Sequence, residues 1–256
     1  MHPTRQRATG RKQLSFRRAL TALLLFGISF GYVEAAIVVY LRAIYEPMRL
    51  EFVADAQPGE LFPLLRFDQV EAAGPEHVRR LFGELGRELA TLIMLAAVGL
   101  AVGRNFHQWF AAFVVAFGVW DVFYYVFLKV LIDWPTSPFT WDILFLLPVP
   151  WAGPVIAPVL VAVSMIAAGV IVLRLESQGR PVRLGLASWT AVVLGGLMIV
   201  AACCWDYRNI SAGGAPNPFN WPLLLAGEII GIGGFARGLR TSRRQAVRPA
   251  GLRAGG

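Results

Sequence analysis

Hydrophobic residues in this chain run in long, nearly charge-free blocks and do not alternate with polar ones. A helix needs about 20 apolar residues to cross a hydrocarbon core of roughly 30 Å. Blocks of that order fall at 19–41, 88–103, 109–131, 154–173, 185–204 and 221–239. The pattern predicts an all-α, polytopic integral membrane protein with six transmembrane helices and interfacial segments on the outer side. The second block is short and draws Arg87 and Glu88 in at its outer end, with their charged heads in the interface. The first block follows basic residues as a secretory signal would. Its apolar run exceeds signal length and no small-residue cleavage site follows, so it reads as a retained anchor.

The connections carry patterns of their own. In the longest one, 43–86, Val78, Leu81, Phe82 and Leu85 recur at helical spacing with Arg79, Arg80 and Glu84 between them, and Pro75 stands where a helix can start. That stretch predicts an amphipathic helix lying on the outer surface ahead of the second span. The segment after the third block is apolar but holds Pro135, Pro138, Pro148, Pro150 and Pro154, too many for a straight spanning helix. It is expected to be interfacial or partly re-entrant, with Trp134, Trp141 and Trp151 at headgroup level. "SPFTWDILF" at 137–145 echoes "NPFNWPLLL" at 217–225, a likeness that a duplicated hairpin or chance explains equally. Residues 1–18 and 241–256 read as basic, disordered cytoplasmic tails around a six-helix domain at 19–240.

Composition agrees with the blocks: 56% of residues are hydrophobic and 16% charged, with mean hydropathy +0.57, outside the range of soluble domains. The net charge of +8 is a matter of topology. With both termini in the cytoplasm, 16 of the 24 lysines and arginines fall on the inner side, together with a single acidic residue, Glu176. The expected location is the plasma membrane, with the basic ends on anionic lipid headgroups, and no nucleic-acid motif is present. Cys203 and Cys204 are adjacent, with no second pair for a metal site, and read as small buried residues.

Candidate chemistry lies in the charges inside the blocks, because an ionisable group in a bilayer is costly and by default faces the bundle interior. Glu34, Asp121 and Glu228 qualify. At about 1.5 Å per residue, Glu34 and Glu228 lie roughly 10 Å, and Asp121 roughly 15 Å, below the outer ends of their helices. All three occupy the outer half of the membrane, while the inner halves carry no ionisable side chain, which predicts a pocket open to the outside and closed below. Asp121, Tyr125, Lys129 and Asp133 stand four apart and form a polar ridge on one helix face, with Lys129 also able to snorkel outward. Gly27, Gly31 and Ala35 near Glu34, and Gly227 and Gly231 near Glu228, predict close helix contacts beside each carboxylate. At the mouth, Arg87 and Glu88 begin a helix directly, and Arg208 can reach over the opening; Arg42, Glu46, Asp142, Asp206, Tyr207, Asn217 and Asn220 read mostly as solvated loop residues.

The three histidines, His2, His77 and His107, lie in a tail, a loop and a turn, so no span offers histidine ligands, no metal site is expected, and no cofactor is specified. No nucleophile–histidine pair and no phosphate-binding glycine pattern appears. The leading expectation is a binding or transport protein for a small or amphiphilic ligand, lined by Glu34, Glu88, Asp121, Tyr125, Lys129, Glu228, Arg87 and Arg208. The alternatives are an enzyme acting on an outer-leaflet lipid, with Asp121 or Glu88 as acid–base and Arg87 or Arg208 as anion clamp, and an accessory subunit that meets a protein partner.

Overall fold

The computed structural model describes residues 15–54 and 56–247; the expected tails at 1–14 and 248–256 lie outside the described residues. The elements in order are α1 (Phe16–Phe52), α2 (Phe67–Ala72), α3 (Pro75–Val102), α4 (Phe106–Ile132), β1 (Trp141–Phe145), β2 (Trp151–Pro154), α5 (Ile156–Ser177), α6 (Leu186–Cys203), α7 (Tyr207–Ser211) and α8 (Trp221–Val247). Among the described residues, α1, α3, α4, α5, α6 and α8 are long and apolar enough to cross a membrane.

Local chemistry sets several of their ends. The Ser15 hydroxyl accepts the Arg18 N–H at 3.3 Å to cap α1, and the Asn105 carboxamide oxygen accepts the Gln108 N–H at 2.9 Å to cap α4. Pro75 opens α3 at a position where its missing N–H costs nothing. Asp133 ends α4 in the left-handed region at φ 52°.

α4 forms the core of the bundle and is the most buried of the six helices. α1 runs parallel to it: a Cβ at Gly27 would meet Val119 at 2.7 Å, and one at Gly31 would meet Phe123 and Trp120 at 3.0 Å. α5 runs antiparallel on another face, where Gly118 meets Ala162 and Ile166, and Gly169 meets Ala111 and Val115. α3 packs on α4 beside Gly99, while α6 and α8 form an antiparallel pair crossing at Gly195 and Gly227. Without glycine at these crossings the backbones could not approach, and in an apolar solvent such close packing is a main source of helix association.

Both described termini lie at the same end of the bundle, called the terminal end here. It is filled by Leu23, Leu95, Ala112, Val115 and Ala116, all buried. It is tied across by Glu176, whose carboxylate accepts from Gln108 Nε2 at 2.9 Å, Asn105 Nδ2 at 3.2 Å and the Val182 N–H at 2.7 Å. A second tie runs from the Arg183 N–H to the Ser242 hydroxyl at 3.1 Å, which in turn donates to the Pro181 carbonyl.

Three sequence expectations change. The chain is not wholly helical: β1 and β2 pair antiparallel, Asp142 opposite Gly153, with the register slipping between Ile143 and Phe145. In the proline-rich segment a hairpin satisfies backbone groups that a proline-broken helix would leave open. The expected surface helix is not separate, since α3 is one continuous helix of 28 residues and Gly83 and Gly86 do not interrupt it. Finally, α8 continues beyond residue 240 through Val247, so part of the expected tail is helical.

Candidate functional site

At the end of the bundle opposite the termini, a cavity of about 850 Å³ lies between α1, α3, α4 and the β1–β2 hairpin. α1 reaches it because its 37 residues, roughly 55 Å at about 1.5 Å per residue, carry the helix well past the apolar block that ends near residue 41. The helical period continues through that extension, so Glu34, Val38, Arg42, Tyr45 and Arg49 all line the cavity. The 53–66 connection and α2 cover it with Leu61, Leu64, Phe67 and Val70. This cover is held by the Arg49 guanidinium donating to the Gln57 carbonyl, by the Gly59 N–H donating to Glu46 at 2.6 Å, and by Gln69 Nε2 donating to the Phe52 carbonyl at 3.0 Å.

Three polar constellations line the walls. Arg87 of α3 bridges two carboxylates: Nη1 donates to Glu34 of α1 at 2.6 and 2.5 Å, while Nε and Nη2 hold Glu84 one turn away. α1 and α3 make little direct backbone contact, so this ion pair is a principal link between them. Next to it, Glu88 points the other way and accepts the Leu146 N–H at 3.1 and 2.9 Å, anchoring the hairpin to α3.

The third constellation surrounds Asp142, only 2% exposed. Its carboxylate lies 3.8 Å from Arg42 Nη2, and the Tyr124 hydroxyl donates to it at 3.5 Å, with Tyr125 alongside. β1 lies outside the six long helices. There burial pushes the Asp142 carboxyl up to about 6, against the opposing pull of Arg42 and the tyrosine hydroxyls. The Arg42 guanidinium also covers the Trp134 ring at 3.8 Å. Asp121, on the same helix as the tyrosines, faces Asp142 closely enough for the two charges to interact.

Several buried polar atoms on these walls have no hydrogen-bond partner within the protein: Arg42 Nε and Nη2, Tyr45 Oη, Arg49 Nη1, Trp120 Nε1 and Asp121 Oδ2. A buried polar group left unpaired costs about 1–3 kcal/mol. Six of the nine such atoms among the described residues belong to side chains that line this one cavity. Among the described residues no cluster of three or more histidine, cysteine, aspartate or glutamate side chains is arranged to hold a metal ion.

No family model, curated protein or solved structure matches this chain. What the site can do therefore has to be argued from its geometry.

Of the residues singled out from sequence, Glu34, Arg87, Glu88, Asp121 and Tyr125 all line the cavity. Lys129, Glu228 and Arg208 do not. Lys129 is half exposed and caps the end of α4, its Nζ 2.6 Å from Asp133 Oδ1 and 3.2 Å from the Pro135 carbonyl. Glu228 faces Ser164 of α5, an interhelical contact away from the cavity. Arg208 is exposed, and its Nε donates to the neighbouring Tyr207 hydroxyl at 3.1 Å. Of the carboxylates expected from three spans, Glu34 and Asp121 line the cavity, Glu228 does not, and Asp142 of the hairpin does.

Asp142 and Arg42, read as solvated loop residues, are instead wall residues, Asp142 buried and Arg42 partly so, and Arg49, Glu84 and Tyr124 were missed. Two signals in the sequence bore on this. A charge inside an apolar, proline-rich segment needs a partner, and the 34–38–42–45–49 spacing continues a helix face beyond the apolar block.

Proposed function

We propose that the chain is a multi-pass protein of the plasma membrane with both termini in the cytoplasm, and that its cavity opens to the extracytoplasmic side and binds a small or amphiphilic ligand for uptake or transfer. The observation that carries this reading is the set of buried, unpaired polar atoms on the cavity walls, from Arg42, Tyr45, Arg49, Trp120 and Asp121. Between them the walls are apolar, from Val38, Leu41, Leu61 and Leu64. Large apolar concavities with a few convergent polar groups are the usual form of ligand sites. The filled and cross-tied terminal end argues against an open pore, so any transport requires the bundle to rearrange.

Native mass spectrometry of protein extracted directly from membranes tests the reading. A retained adduct that Asp121→Asn or the cavity-filling Thr91→Trp diminishes supports it. A bare polypeptide mass under the same gentle conditions ends it.

One observation favours a second reading, chemistry on an outer-leaflet lipid. Asp121 and Asp142 are neighbouring carboxyls on the cavity wall, and a carboxyl pair is common equipment for acid–base chemistry. In that case a deletion strain has an altered lipid profile that wild type restores and Asp121→Asn does not. An unchanged profile removes this option.

A further inference from the structure

The unpaired groups are not evenly distributed. On the outer extension of α1, Arg42, Tyr45 and Arg49 fall on one face at i, i+3 and i+7, all three line the cavity, and each holds a buried donor without a partner: Nε and Nη2 of Arg42, the Tyr45 hydroxyl and Nη1 of Arg49. Arg49 is only 6% exposed. Its other terminal nitrogen is used by the Gln57 carbonyl, which fixes the side chain with Nη1 left free.

The carboxylates lining the cavity outnumber its guanidiniums, but most are already engaged. Glu34 and Glu84 hold Arg87, Glu88 holds the Leu146 N–H, and Glu46 holds the Gly59 N–H. Asp142 lies 3.8 Å from Arg42, beyond hydrogen-bond reach, and leaves both Nε and Nη2 of that residue unfilled. The excess on this face is therefore of donors, three of the four on arginine side chains, and what they lack is an acceptor.

We propose that Arg42, Tyr45 and Arg49 form a subsite for a phosphate-type oxyanion, carried by the ligand that the cavity binds. A tetrahedral group presents oxygens in several directions, which suits donors spread over two turns, about 10 Å, of helix better than a planar carboxylate does. The subsite lies just beyond the apolar block of α1, at the depth of lipid headgroups, so the oxyanion belongs either to an amphiphile or to a free anion entering from solution. The Trp134 ring lies under Arg42 at 3.8 Å and supports the guanidinium from one face.

This proposal rests on the ligand-binding reading above, and the test separates the two. The full chain in detergent is titrated with dioctanoyl phosphatidate, with dioctanoylglycerol and with inorganic phosphate, and the thermal unfolding midpoint is followed. Phosphatidate is expected to raise the midpoint saturably, at least tenfold more tightly than dioctanoylglycerol. Arg42→Gln and Arg49→Gln are each expected to weaken phosphatidate at least tenfold and leave dioctanoylglycerol unchanged. Stabilisation by inorganic phosphate to the same extent assigns the subsite to a free anion; stabilisation by phosphatidate alone assigns it to an amphiphile.

Equal binding of phosphatidate and dioctanoylglycerol overturns the oxyanion subsite and leaves the pocket standing. Phosphatidate binding indifferent to both substitutions also overturns it. No saturable effect from any of the three compounds overturns the subsite and the ligand-binding reading together. Arg49→Gln removes the bond to Gln57 and can loosen the cover of the cavity, so Arg42→Gln and the wild-type headgroup series decide the matter if that variant does not purify.

Discussion

Arg87 carries the densest pairing in the cavity and is the residue whose loss has the clearest consequence. It pairs with Glu34, which is 7% exposed, and with the partly buried Glu84, so Arg87→Ala leaves both carboxylates without their cation. Removing one member of a buried pair costs about 3–5 kcal/mol. Glu34→Gln leaves Arg87 with Glu84 and keeps a hydrogen-bonding group in place, and should cost much less. Thermal unfolding in one detergent ranks the two, and a loss in Arg87→Ala no greater than in Glu34→Gln would mean that the ion pair does not hold α1 to α3.

Asp142 makes a different prediction. Its carboxyl, ordinarily near 3.8, is held up to about 6 with Arg42, Tyr124, Tyr125 and Asp121 facing it. The folded chain therefore favours its proton more than the unfolded chain does. The stability due to this group is full below about pH 4 and falls as the pH rises through 6, by at most roughly 1.4 kcal/mol per pH unit. Unfolding midpoints followed from acid to neutral pH should decline more steeply in wild type than in Asp142→Asn, and parallel curves would remove the assignment.

At the scale of elements, the helices meet where glycine allows it. A Cβ at Gly195 would come within 2.5 Å of the Gly227 carbonyl, whereas one at the adjacent Gly196 would meet nothing within 4 Å. Gly195→Val should therefore separate α6 from α8, with a loss of stability of about 1–3 kcal/mol or more from overpacking, and Gly196→Val should be close to neutral. Unfolding of the two variants side by side checks this, and equal effects would argue against the crossing.

Such contacts were partly legible in the sequence, because glycines at helical spacing beside Glu34 and Glu228 announce close backbones; Gly27, Gly31 and Gly227 do meet a neighbour. Which neighbour they meet depends on residues far away in the chain, and period alone does not say. Periodicity also identified the helical face of 78–85 and misplaced it, since an amphipathic turn continuing a span has the same pattern as one lying on a surface. For the hairpin the prolines excluded a helix but did not specify the partner strand, and with the pairing of Asp142 opposite Gly153 went the burial of Asp142 itself. The missed wall residues share that cause: each is buried by an element remote in sequence.

At the scale of the molecule, net positive charge gathers at the closed end, where ten described arginines meet a single acid, Glu176, and the cavity lies at the other. Arg17 and Arg18 begin α1, Arg104 lies between α3 and α4, Arg174, Arg180 and Arg183 surround the α5–α6 connection, and Arg237, Arg240, Arg243 and Arg244 follow along the end of α8. Lysine and arginine in short connections are retained on the cytoplasmic side of a membrane, and the proposed orientation rests on this distribution. It also decides what the cavity can meet: opening outward, it samples solutes and lipids of the outer leaflet; inverted, it would face the cytoplasm, and the proposed ligand classes would change with it.

Two single cysteines settle the matter once Cys203 and Cys204, both free, are replaced by alanine. Glu60 is exposed on the cover of the cavity and Gln178 is exposed in the α5–α6 connection. In intact cells a membrane-impermeant maleimide should label Glu60→Cys at once and Gln178→Cys only after permeabilisation. The reverse pattern would put the cavity on the cytoplasmic side. Labelling of both positions in intact cells would mean that the six long helices do not cross the membrane as a bundle, and the physical basis for reading Glu34 and Asp121 as costly, purposeful charges would go with it.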